Sequence, residues 1–150
     1  MTTLFDSARA GDLAQLVELL GILFTQEHEL EPDAARQERA LRLILEDPAL
    51  GRIYVARGGE RVLGMVNIMR TVSTAEGGAA GYLEDFVVRP ELRGKGLGAR
   101  LLAHAIERAR ADGMLRLILL TDGDNINARR LYERAGFVRS EMLPMRLMLR

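Results

Sequence analysis

Apolar residues recur along this chain in two rhythms, one with helical spacing and one in short dense runs of strand length. A short N-terminal stretch reads as a strand. After it, Leu13, Leu16, Val17, Leu20, Leu23 and Phe24 fall on one helical face, with Asp12 standing where a cap belongs. A polar stretch over 25–31 leads to Pro32, read as the first position of a second, peripheral helix. That helix carries Ala40, Leu41, Ile44 and Leu45 and stops near Pro48.

Segments 52–57 and 61–69 are rich in branched apolar residues and flank Gly58-Gly59-Glu60, which predicts a hairpin. The glycine-rich turn 76–81 leads into a strand over 82–88. Positions 97–112 put Leu101, Leu102, Ala105, Ile106 and Ala109 on one helical face and end at Gly113, a good helix stop. Segment 115–121 is almost continuously apolar, as expected of a strand covered on both faces. A short helix over 126–135 closes at Gly136, and Phe137-Val138 with 145–149 predicts a final antiparallel pair. The order is strands, then strand-helix-strand-helix, then strands, so the expected fold class is α/β with a mixed sheet flanked by helices. No repeat, low-complexity tract or linker interrupts it, and 1–150 reads as a single domain.

Charge and composition narrow the chemistry. Basic and acidic residues balance at 21 each, so no overall field draws the molecule to nucleic acid or an anionic membrane, and any anion site must be local. The chain has no cysteine, which removes a thiolate nucleophile. Its two histidines, His28 and His104, make a histidine-based metal site a poor expectation. The N-terminus lacks a signal-peptide pattern, and no segment approaches the roughly 20 apolar residues of a membrane span. The expected location is the cytoplasm.

One segment offers a phosphate cradle. Between the strand ending at Val88 and the helix beginning near Leu97 lies Arg89-Pro90-Glu91-Leu92-Arg93-Gly94-Lys95-Gly96-Leu97-Gly98. Alternate glycines let the backbone bend sharply and approach a ligand, and the following helix directs its positive end to the same place. Arg93 and Lys95 add cations. A Walker loop is poorly supported, because Lys95 is followed by Gly96 rather than Ser or Thr. A nicotinamide dinucleotide site is the nearer rival. Gly94, Gly96 and Ala99 satisfy G-x-G-x-x-A, and Asp122 follows the next strand where a ribose-binding acid belongs. Against it, five residues separate the strand from the first glycine, and fewer than 30 remain after Asp122 for further parallel strands.

Arg93-Gly94-Lys95-Gly96-Leu97-Gly98 also fits [Q/R]-x-x-G-x-[G/A], and Asn125, Ala128, Leu131, Tyr132, Gly136 and Phe137 fit N-x-x-A-x-x-L-Y followed by G-F. With both motifs in order, the chain resembles the GNAT superfamily of N-acetyltransferases, closely over 82–137 and loosely throughout. The resemblance implies a mostly antiparallel sheet of about six or seven strands with about four helices, splayed between two parallel central strands. It implies acetyl-CoA as cosubstrate, no metal, and a primary amine as acceptor. The pantetheine arm is expected against the backbone of Phe86, Val87 and Val88, with its pyrophosphate on 93–98 and Asn125 at its edge. A noncatalytic CoA-binding module is the alternative within the same fold, and a homodimer is left open.

Direct transfer needs a base, an oxyanion donor and an acid. Strict alternation puts Glu84 on one strand face with Tyr82 and Phe86 and turns Asp85 the other way. Glu84 is the preferred base, with Asp85 or a water as alternatives. A backbone N–H near Val87 or Val88 is the expected oxyanion donor. Tyr132 stands at the family's position for protonating the coenzyme thiolate, which implies the acid. Glu27, His28 and Glu29 lie where the family often builds its acceptor pocket, although a solvated loop is the plainer reading. His104 is expected to pack.

Overall fold

The computed structural model describes residues 2–27 and 30–150. Five strands form one sheet in the order β1-β2-β3-β4-β5: β1 Thr3–Ser7, β2 Gly51–Gly58, β3 Arg61–Ser73, β4 Gly78–Val88 and β5 Leu117–Leu119. The first four are antiparallel neighbours, and β4 and β5 are parallel. The β2–β3 hairpin closes as the sequence predicts, with Gly58 opposite Arg61 and Gly59 at φ 61°, a conformation glycine adopts without strain.

Alternation along the strands builds two cores. Ile53, Val55, Met65 and Val87 pack beneath α1 (Leu13–Gln26) and α2 (Ala34–Glu46). Tyr54, Ala56, Val66, Ile68 and Leu83 face the other way, onto Leu101, Leu102 and Ala105 of α3 (Leu97–Ala111). Each fully buried leucine or valine among them contributes about 1.5–3 kcal/mol. A shorter helix, α4 (Ile126–Arg134), follows β5.

Local expectations give way in three places. Asp12 precedes α1 but makes no side-chain cap; its two carboxylate oxygens accept from the Arg57 guanidinium at 2.7 and 2.8 Å, and both side chains are buried. A buried arginine requires such a partner more than a helix end does. Pro32 lies outside α2. Asp33 caps that helix by accepting from Arg36 N–H at 3.2 Å, while Gln37 Oε1 accepts from Asp33 N–H at 2.7 Å.

The largest departure is C-terminal. β5 is only Leu117–Leu119, half-buried rather than covered on both faces, and it ends the sheet. Phe137-Val138 and 145–149 form no strand pair, so the described sheet has five strands rather than six or seven. Val138, Met142, Leu143, Met145, Leu147 and Leu149 are all at least 81% exposed. A three-residue edge offers too short a ladder to hold a further hairpin. Among the described residues no helix is long and apolar enough to cross a membrane.

Candidate active site

β4 and β5 pair only from Gly81↔Leu117 to Leu83↔Leu119. Beyond that point the strands part, and from Glu84 to Val88 β4 has no strand partner on its β5 side. A cleft of about 1180 Å³ opens there. Its walls include Val87, Val88, Gly94, Gly96 and Asn125 near the glycine loop, and Phe24, Glu27, Tyr82, Glu84 and Asp85 further along β4. Backbone groups freed by such a parting need a partner, and an extended ligand with amide groups can supply one.

The glycine loop divides its work. Gly94 and Gly96 hold φ 79° and 82°, and Gly96 is the residue at which α3 begins. Among the described residues no side chain caps this helix, and its first turn borders the cleft, where its N–H groups are available as donors to an anion. Gly98 lines the cleft and also serves packing. A Cβ there would stand 3.3 Å from the Phe86 ring and 3.6 Å from Val88, so its absence lets α3 lie close on β4.

Arg93 is not a free phosphate ligand. Its Nε donates to the Val88 carbonyl at 2.9 Å, and its terminal nitrogens lie against the Gln26 side-chain amide, so it ties the loop to the ends of β4 and α1. Of the three residues expected to meet pantetheine through their backbone, Val88 therefore has its carbonyl already engaged. Arg89, buried at the start of the loop, donates to the Val62 carbonyl at 2.7 Å and pairs with Glu18. Lys95 is exposed and makes no ion pair among the described residues. It is also the single lysine beside 20 arginines, a compositional signal that sequence reasoning passed over.

The carboxylates depend on a break in strand register. Met65 faces Val87 and Asn67 faces Glu84, so between them Val66 alone opposes both Asp85 and Phe86. This is a β-bulge, and Asp85 sits in it at φ 55°, the positive φ of a non-glycine residue among those described. The bulge cancels the alternation expected from sequence. Instead of turning away from Glu84, Asp85 reaches Asn67, the cross-strand partner of Glu84, and its Oδ2 accepts from Asn67 Nδ2 at 2.7 Å. Asp85 is half-buried, and its pKa is pushed up to about 6 by burial first and by the Glu84 charge second, against the Asn67 hydrogen bond. Glu84 is exposed.

Across the cleft, Asn125 caps α4 by accepting from Ala128 N–H at 3.2 Å, and it lines the opening as expected. Tyr132, half-buried one turn further on, rests between the rings of Phe86 and Phe137 at 6.0 and 5.9 Å. Burial, then the Glu27 charge, pushes its pKa up to about 12, so the phenol keeps its proton throughout the neutral range. Glu27 lines the cleft, whereas His28 and Glu29 lie outside the described residues. His104 packs between Phe5 and Tyr54, with ring centroids at 5.8 and 5.7 Å, and burial lowers its pKa. Asp122 borders the same cleft, but a sheet with one parallel pair is not a dinucleotide fold.

Comparison with known proteins agrees with this geometry. Residues 13–137 match the Acetyltransferase (GNAT) family. The chain is 34% identical to streptothricin acetyltransferase of Streptomyces lavendulae, over 89% of this chain and 80% of that one. It is 33% identical to aminoalkylphosphonate N-acetyltransferase of Salmonella typhimurium, over 75% and 71%. An integron cassette protein from the Cole Harbour salt marsh metagenome superposes with a TM-score of 0.84 at 30% identity, covering 97% of this chain and 90% of that one. The chain therefore belongs to the GNAT acetyltransferase family, and it is an acetyl-CoA-dependent N-acetyltransferase.

Proposed function

We propose that the acetyl group passes directly from acetyl-CoA to a small primary amine within one ternary complex, with Asp85 as the base and Tyr132 as the acid. The carrying observation is the bulge at Asp85, which sets a half-buried carboxyl group with a pKa of about 6 beside the opened edge of β4. A group with that pKa is largely ionised at neutral pH, yet basic enough to take a proton from an incoming ammonium, directly or through a water. Glu84, exposed beside it, is suited to attracting the cation. Together with Glu27 it gives the acceptor end of the cleft an acidic lining.

Once neutral, the amine attacks the thioester carbon; the C–N bond forms and the C–S bond breaks. Backbone N–H groups near Val87 and Val88 are the candidate donors to the oxyanion, since fixed dipoles need no reorganisation as charge develops. The Tyr132 hydroxyl supplies the proton to the departing thiolate. Phe86, Val87, Val88 and Asn125 border the coenzyme arm. Gly94, Lys95, Gly96, Leu97 and Gly98 form its phosphate end, which Arg93 braces.

The test is an amine panel read by thiol release, followed by initial-rate kinetics on the best acceptor. Intersecting double-reciprocal lines are expected, and parallel lines would remove direct transfer. Asp85→Asn should lower kcat/KM by about 10²- to 10⁴-fold, whereas Glu84→Gln should act mainly on the acceptor KM. The reverse pattern would return the base to Glu84.

A further inference from the structure

From Val62 to Met69, β3 carries only apolar residues and one glycine, apart from Asn67. Asn67 lies on the same face as Met65, beneath α1, and is 1% exposed. Filling that volume would need no more than a leucine. An amide is costly there unless its polar atoms are satisfied, and this one is satisfied on one side only. Nδ2 donates to Asp85 Oδ2 at 2.7 Å, while Oδ1 is buried and without a hydrogen-bond partner. The contact also spans the bulge, the one place where β4 departs from its register with β3.

We propose that Asn67 is a positioning residue that holds the Asp85 carboxyl group in the cleft in both of its protonation states. With Asp85 ionised, Asn67 Nδ2 donates to it, as seen in the structure. When Asp85 has taken a proton it needs an acceptor instead, and a half-turn of the amide about its last torsion brings Oδ1 to the same place. The orphaned oxygen is then the second half of a two-way contact, and proton uptake does not release the carboxyl group from its site. A hydroxyl-free apolar residue supports neither state.

Among the described residues, several titratable or polar groups border Asp85 or share its cleft. Glu84 adjoins it on β4, Asn67 reaches it from β3, and Glu27, Tyr132 and Arg146 line the same cleft from the end of α1, from α4 and from the C-terminal segment. Glu84 disfavours ionisation of Asp85, and the Asn67 hydrogen bond favours it. A hydrogen bond to the ionised carboxylate is stronger than one from the neutral acid, so the two-way contact favours ionisation on balance, and removing the amide raises the pH at which Asp85 titrates. The inference rests on Asp85 being the base for its catalytic meaning, but not for the contact itself.

The experiment is a ¹³C NMR titration of the Asp85 carboxyl carbon in the wild-type protein and in Asn67→Leu, with the signal assigned from Asp85→Asn. Acetyl-CoA affinity by calorimetry and the pH profile of kcat/KM on a screened amine accompany it. In the wild type the signal is expected to titrate near pH 6, and in Asn67→Leu about one pH unit higher. The acid limb of kcat/KM should move with it, while acetyl-CoA affinity stays within about twofold. An unchanged Asp85 titration in the variant would overturn the proposal. A shifted titration with an unmoved rate profile would uphold the role of Asn67 and remove Asp85 as the base, so the two readings fail separately. Should Asn67→Leu not fold, Asn67→Ala gives the same titration with the same expected direction.

Discussion

The two ends of the cleft are built from different materials. The end proposed for the phosphates is backbone: two glycines with positive φ, a helix start without a side-chain cap among the described residues, and one lysine beside them. The proposed catalytic end is side chain: Asp85 and Asn67 meet where β4 slips its register, and Tyr132 lines the same cleft from α4. Backbone dipoles can bind the constant part of a coenzyme without knowing what the acceptor is. Side chains set by register can be changed one at a time, which is where proton transfer and acceptor choice belong.

If this division is right, a change at one end should leave the other end working. After the loss of turnover in Asp85→Asn, the largest effect is expected from Tyr132→Phe, which should lower kcat by about 10²- to 10³-fold while acetyl-CoA affinity, read by calorimetry, stays within about twofold. Equal losses in both would make Tyr132 a binding residue and blur the two ends. Because its pKa lies near 12, the wild-type rate should also show no alkaline limb from this phenol below about pH 10.

Next in size is a stability effect at Asp85. Its folded pKa is raised to about 6, from an ordinary value of 3.8, so the folded protein holds this proton more tightly than the unfolded chain does. Stability from that group is therefore fully present below about pH 4 and is lost as pH rises through 6. Asp85→Asn should raise the Tm at pH 8, by an amount corresponding to at most about 3 kcal/mol, and the gain should shrink toward zero by pH 4. A pH-independent gain would mean that the carboxyl group is not held in the half-buried site described. The smallest effect is at the other end. Gly96→Val puts a branched side chain at φ 82°, at a strain of about 1–2 kcal/mol, and should weaken acetyl-CoA binding about 5- to 30-fold with kcat at saturation nearly unchanged. A large fall in kcat instead would show that the loop also sets the chemistry.

Much of the scaffold was legible in the chain. The helix expected over 97–112 is Leu97–Ala111, and that over 126–135 is Ile126–Arg134, because each carries its own apolar stripe and its own glycine stop. The hairpin at Gly59 was legible for the same local reason. The failures share a different cause. Asp12 looked like a cap until Arg57, 45 residues away, claimed its carboxylate. Arg93 sits in the motif as expected, yet its guanidinium braces Val88 and Gln26. The strands expected near 137–138 and 145–149 have the right composition but lack a long enough edge to pair with.

By itself, the sequence determined the helices and the tight turns. These depend on which residues tolerate a positive φ and which side chains fall on one helical face, and both are settled within a few positions of chain. Only the tertiary structure decided which of the two acids in the cleft is the more buried. A period of two assigns Glu84 and Asp85 to opposite faces, and nothing in their immediate neighbours signals the bulge that overrules it. Burial, the nearby Glu84 charge and a hydrogen bond from another strand then set the proton affinity of Asp85, and only the folded chain assembles all three.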